Sequence, residues 1–170
     1  MIQYVKQIGD LSDVQNKIVR TAARAIILRG EAILLIRTAK GVLKFPGRGL
    51  EHNETFEEAL KREIREETGY VNVLVKNEFG IYIERKLDQF DSHTVFESRS
   101  YYLFAEVIGD ERVAVKLDDY EETLQFQAEW VPIKEAVIQN TYALLSEQET
   151  SEWLERELTI LQALLVWNKS

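Results

Sequence analysis

At 170 residues, with 45% hydrophobic and 29% charged residues, the chain has the make-up of one globular domain with a real core. A net charge of −8 and a pI near 4.9 argue against gripping a nucleic-acid polymer or an anionic lipid surface, since both call for basic patches. The lack of cysteine excludes disulfides, thiol nucleophiles and cysteine-type zinc sites.

The opening MIQYVKQIGDLSDV is polar and mixed, so no signal peptide is expected. No apolar run approaches the ~20 residues that cross a bilayer. A cytoplasmic protein without membrane partners is the expectation. Residues 1–16 read as a lead-in with a short strand at its start. Val19 to Leu28 and Ala32 to Arg37 are rich in branched apolar residues and flank Arg29-Gly30-Glu31, the pattern of a hairpin. Gly41 to Phe45 leads into a Pro46-Gly47 turn. Thr55 to Thr68 is helical. Val71 to Arg85 and Thr94 to Ile108 are long strand candidates, joined by the polar Asp88–Ser92. Gln125 to Val131 alternates and ends at Pro132. Ile133 to Gln139 is a short helix. Apolar residues at Trp153, Leu154, Leu158, Leu161, Leu164 and Leu165 mark an amphipathic helix over Ser151–Trp167, with 147–168 as its outer bounds. The stripe Leu158, Leu161, Leu165 suits core packing or a homodimer contact. Strands and helices interleave, so the fold class is α+β: a mixed sheet with helices packed on it, in a single domain spanning 1–170.

The helix Thr55–Thr68 carries the chemistry. Thr55 and Glu58 form a capping-box pattern, and Gly69 suits a left-handed C-cap. Phe56, Ala59, Leu60 and Ile64 make an apolar stripe. Glu63, Glu66 and Glu67 stand at i, i+3 and i+4, so they share one side of the helix. Such a trio is either a solvated charged face or a site for a hard divalent cation such as Mg²⁺. Spacing alone does not choose between the two.

The wider pattern does. The segment Arg48–Tyr70 resembles the Nudix box, G-x5-E-x7-R-E-U-x-E-E-x-G-U, where U is a bulky aliphatic residue. Glu54, Arg62, Glu63, Ile64, Glu66, Glu67 and Gly69 fall in register, and Tyr70 is a loose match at the last position. The resemblance implies a Nudix-type α/β/α sandwich around a mixed β-sheet. It implies a hydrolase that cleaves the pyrophosphate bond of a nucleoside diphosphate linked to another moiety, a nucleotide pyrophosphatase using Mg²⁺ or Mn²⁺. Carried over residue by residue, Glu63, Glu66 and Glu67 are metal ligands. Arg62 orients a carboxylate by a salt bridge, and Glu54 supports the metal site or binds through water. A further acid ahead of Trp130 is expected from Glu121 or Glu122, with Glu122 chosen as the catalytic candidate and Glu97 a weaker one. Arg48 and Arg85 are the substrate-phosphate candidates, ahead of Lys86 and Arg99. Phe90 and Tyr82 are candidates for stacking on a base. His52 and His93 read as solvated loop residues, and Glu129 as solvent-facing or paired with a surface base.

One position departs from the pattern. Arg48 stands where the box has its first glycine. If that turn is left-handed, arginine there costs on the order of 1 kcal/mol. Three outcomes stay open: the side chain swings away, it reaches a substrate phosphate, or it displaces a metal and silences the site. The last keeps a second function in view, a Nudix-fold module that binds a nucleotide or partner without turnover. Asn53, beside Glu54, tolerates positive φ. No proline lies between Pro46 and Pro132, and the SQPWPFP-like array of NADH-type members is absent, so neither the ADP-ribose-type nor the NADH-type subclass gains support.

Overall fold

The computed structural model describes residues 1–146 and 152–168. Among them the elements run β1 (Ile2–Gln7), β2 (Asn16–Arg29), β3 (Ala32–Arg37), β4 (Leu43–Lys44), α1 (Phe56–Thr68), β5 (Val73–Leu87), β6 (Thr94–Val107), α2 (Asp119–Thr123), β7 (Gln127–Pro132), α3 (Ile133–Leu145) and α4 (Trp153–Trp167). The strand order is β1-β5-β6-β2-β3-β4, with β7 paired to β3. Parallel pairing of β1 with β5 and of β2 with β6 combines with antiparallel neighbours, so the sheet is mixed as expected. The part of the predicted C-terminal helix at 147–151 lies outside the described residues. None of the described helices is long and apolar enough to cross a membrane.

The two faces follow from strand alternation. On β2, Ala23, Ala25 and Ile27 face one way and pack with Ala59, Leu60 and Ile64 of α1. Ile26 faces the other way and packs with Ile160, Leu161 and Leu164 of α4. Leu60 and Ile64 are fully buried, and each stabilises the fold by about 1.5–3 kcal/mol. Helices therefore cover both faces, which makes an α/β/α sandwich. Leu158 and Leu161 are buried and Leu165 packs on the same core, so that stripe is spent inside the domain.

Local signals behave as the sequence predicts. The capping box of Thr55 and Glu58 forms at the start of α1, and Gly69 closes it at φ 81°. A Cβ at Gly69 would lie 2.4 Å from the Val113 carbonyl oxygen, so only glycine fits. Two differences stand out. The predicted short helix at Ile133 continues to Leu145, because its sequence holds no breaker after Pro132. The acidic stretch before Trp130 contains α2, one turn of helix capped by Asp118 with Glu121 at its third position.

β2 has a second role. Its edge carries the turn that precedes α1: Ala25 N–H donates to the Pro46 carbonyl (2.8 Å), Ala23 N–H to the Arg48 carbonyl (3.0 Å), and Leu50 N–H to the Thr21 carbonyl (3.0 Å). The residues just before the acidic helix are thus held as if they were a further strand. Gly47 sits at φ 128°, and a Cβ there would come 2.1 Å from the Ala23 carbonyl oxygen.

Candidate active site

α1 packs its apolar stripe on the sheet and thereby turns Glu63 and Glu67, one helical turn apart, into the interior. Glu67 is held from two directions. Its Oε2 accepts from the Gly47 N–H (2.9 Å), and its Oε1 pairs with Lys44 Nζ (3.0 Å). Arg62 grips Glu54 with Nε (2.8 Å) and Nη2 (2.9 Å), and its Nη1 donates to Glu63. Glu54 also accepts from the Glu51 N–H (2.9 Å), so its oxygens are engaged in holding the turn and Arg62. Glu66, about a third exposed, stands 3.5 Å from Arg62 Nη1.

A third carboxylate comes from α2. Asp118 and Glu121 bond reciprocally, side chain to backbone, at 2.9 Å each way. This turns the Glu121 side chain inward, where it is buried. Carboxylate oxygens of Glu63, Glu67 and Glu121 all lie within 4.8 Å of one another. Glu122, chosen from the sequence, is exposed instead. Neighbouring positions on a helix point about 100° apart, so only one of the two acids can face α1.

Three like charges at that separation repel by roughly 3 kcal/mol per pair in a medium of intermediate dielectric. Two of the three carboxyls are shifted upward. Burial and then the charge of Glu67 push the Glu63 carboxyl up to about 7, although Arg62 opposes them. Burial also raises Glu121, against the bond it accepts from the Asp118 backbone. Glu54 is held low by Arg62. Lys44, Arg62 and, at 3.8 Å, Arg48 are the cations paired with this trio, but Arg62 is shared with Glu54 and Arg48 with Asp118, so negative charge is in excess. An all-oxygen, anionic donor set of this kind fits a hard divalent ion.

Arg48 answers the question its position raises. Among the described residues, the non-glycine positive φ values belong to Asn53 (62°) and Gln125 (52°), so Arg48 carries no left-handed strain. Its carbonyl serves β2, and its side chain leaves the turn to pair with Asp118, the N-cap of α2, coming 3.8 Å from Glu121. It thereby links the box turn to the element that bears the third acid. Arg85 is engaged too: it donates to Glu97 (2.7 Å). Glu97 has no exposed side-chain surface and is also paired with Lys17 and Arg99. Lys86 pairs with Glu152, and Glu129 pairs with Arg37. Tyr82 is buried and stacks on Tyr4 (6.1 Å), while Phe90 is 89% exposed. His52 and His93 are exposed.

Beside the acids lies a cavity of about 550 Å³, bounded by Arg20 and Arg24 of β2, Phe96 of β6, Glu121 of α2 and Trp153 and Arg156 of α4. The C-terminal helix is therefore one of its walls. That helix also reaches the box turn through Glu157, which is fully buried. Glu157 accepts from the Phe45 N–H (2.7 Å), the Tyr102 hydroxyl (3.0 Å) and Arg156 Nε (3.1 Å). Arg24, 3.8 Å from Glu157, donates through Nη1 to the Gly47 carbonyl (3.1 Å). The Phe45 N–H is thus held from α4 and the Gly47 carbonyl from β2, while Glu67 takes the Gly47 N–H from α1.

Lys44, Asp118, Glu157, Arg20 and Arg24 are residues at the site that sequence reasoning did not name, and Glu121 is one it named but passed over for Glu122. For Glu121 a signal existed: Asp118-x-x-Glu121 repeats the capping-box pattern of Thr55-x-x-Glu58. Arg20, Arg24 and Glu157 sit in ordinary strand and helix patterns that carry no such mark.

The NUDIX domain model matches residues 19–154. The chain belongs to the Nudix family. Solved structures agree on the fold. The MutT protein from Methanosarcina mazei Go1 aligns with a TM-score of 0.57 at 16% identity, over 92% of this chain and 99% of its own. A NUDIX hydrolase from Nitrosomonas europaea gives 0.54 at 20% identity, over 85% and 88%. An ADP compounds hydrolase gives 0.52 at 21% identity, over 88% and 73%. No curated protein sequence matches the chain.

Proposed function

We propose that the protein is a divalent-metal-dependent hydrolase of a nucleoside diphosphate linked to a second moiety. The observation that carries this reading is the convergence of three buried carboxylates, Glu63, Glu67 and Glu121, from two separate helices. A fold gains nothing from burying three mutually repelling acids unless a cation joins them. Mg²⁺ or Mn²⁺ is the group they suit, with Glu66 at the exposed rim. A divalent ion bound there neutralises diphosphate charge and lowers the pKa of a water near the phosphorus. The chain's own residues do the rest. Arg62 fixes Glu54 and Glu63, and the Gly47 N–H and Lys44 fix Glu67. Arg48 fixes α2, and through it Glu121. The adjoining cavity of about 550 Å³ is large enough for a nucleoside-sized group. The overall step is hydrolysis: a water oxygen bonds to one phosphorus, the bridging oxygen leaves with the other, and the water's two protons end on the products or solvent.

The test is a panel of nucleotide sugars, dinucleoside polyphosphates and nucleoside triphosphates with Mg²⁺ or Mn²⁺, reading nucleotide and phosphate release. Turnover that EDTA removes and added metal restores is the expected result. A panel that yields no turnover with either ion, for protein shown to be folded, sinks the proposal.

A further inference from the structure

A diphosphate that approaches a chain of net charge −8 needs a cation with charge to spare. Most basic side chains near the site have none. Arg48 is paired with Asp118, Arg62 with Glu54 and Glu63, Lys44 with Glu67, and Arg85 with Glu97. Arg20 differs. It is exposed on β2, and its side chain makes no hydrogen bond or ion pair among the described residues. Strand alternation puts it on the face of Arg24, towards α4. Its guanidinium lies against Gly49, where a Cβ would come within 3.2 Å of Nε and 3.3 Å of Nη2.

The place of Arg20 matters as much as its freedom. It bounds the larger cavity beside α4. It also bounds a second cleft of about 300 Å³ that contains Arg62, Glu63 and Glu66. Arg20, Arg48 and Gly49 are common to both spaces, and of the two arginines Arg20 is the one without an internal partner. A guanidinium presents a planar fork that matches two oxygens of a phosphate.

We propose that Arg20 is a substrate-binding residue that takes a phosphate oxygen of the diphosphate, lying over Gly49 so that the substrate runs from the acidic cleft into the cavity beside α4. This rests on the hydrolase reading above for the identity of the substrate, but not for its own test. Gly49 has a defined part in it: a side chain there would press on the guanidinium.

The experiment is a ³¹P NMR titration of the protein with methylenediphosphonate, an uncleavable diphosphate, in MgCl₂. Arg20→Ala is expected to weaken binding about 10- to 100-fold, the range for a hydrogen bond to a charged group. Arg20→Lys should fall between the two, since lysine keeps the charge and loses the fork. Gly49→Ala should weaken binding while keeping Arg20. The thermal midpoint of Arg20→Ala should match the wild type, because the side chain supports nothing internal. With a turned-over substrate, the loss should appear in KM more than in kcat. Arg20→Ala binding within twofold of wild type overturns the inference, and so does a wild-type protein that binds no methylenediphosphonate. Arg20-dependent binding in a protein that turns nothing over would uphold it while the hydrolase reading fails. Turnover with a KM indifferent to Arg20 would do the reverse.

Discussion

Two regions of this molecule bury carboxylates, and they do so in opposite ways. Around Glu97 and Glu157, cations surround single acids. Burial alone would raise Glu97, yet hydrogen bonds from Arg85, Lys17 and Arg99 bring it down to about 2. Glu157 is likewise held below the usual range, since Arg24, Arg156 and the Phe45 N–H outweigh its burial. At α1 and α2 the ratio is inverted. Three acids meet, and Glu63 is driven up to about 7. A satisfied buried acid braces the structure. A group of them in excess of its cations is strain that a ligand can relieve, and a site is the natural place for it.

The contrast can be broken at either end. The largest effect is expected at the braced end. Glu157→Ala leaves Arg24 and Arg156 without their shared carboxylate and the Phe45 N–H without an acceptor. Removing one partner of a buried pair costs about 3–5 kcal/mol. The thermal midpoint should fall by about 10 °C in a chain of this size, measured by calorimetry. At the acid-rich end the cost is smaller. Glu67→Gln loses the charge pair with Lys44 but also the repulsion from Glu63 and Glu121, so its metal-free midpoint should fall less than that of Glu157→Ala. Its turnover should drop by at least about 100-fold, the upper range seen when even outer partners of a metal site are changed. A Glu67→Gln protein that turns over normally would remove the acids from the chemistry.

Arg48→Gly restores the box glycine but breaks the pair with Asp118. Since Arg48 carries no left-handed strain, there is none for glycine to relieve. Turnover is expected to fall about tenfold through loss of the α2 anchor. Stability should change by no more than about 1 kcal/mol, as for other exposed ion pairs. A gain of activity would show that Arg48 obstructs the site instead. A further effect is one of pH. Glu97 is depressed from the ordinary 4.5 to about 2, so its contribution to stability is complete above pH 4.5 and is lost as pH falls towards 2. The difference in stability between wild type and Glu97→Gln should be constant near neutrality and shrink across that window. A difference flat from pH 5 to pH 2 would contradict the ion network.

Much of the fold is legible because its signals are local. The hairpin at Gly30, the two long strands, the capping box at Thr55 and the closing Gly69 each depend on residues within a few positions of one another. Glu63 and Glu67 share a helix face for the same reason. The short helix α2 escaped because a single turn is too brief to show a period. Between the adjacent acids Glu121 and Glu122, the mark in the sequence is the capping-box pattern at Asp118, which is legible only once a helix is known to start there.

By itself, the sequence determined that α1 would be a capped helix with acids one turn apart and, through the box, which family of folds would hold it. Only the tertiary structure decided which acids meet, which cations are already committed, and that Arg48 leans away to α2 while Arg20 has no partner among the described residues. The physical reason is range. Helix and turn preferences act over a few residues. Whether a charge is neutralised depends on what folding brings within a few ångströms of it, here from residues as far apart as Glu63 and Glu121, or Phe45 and Glu157.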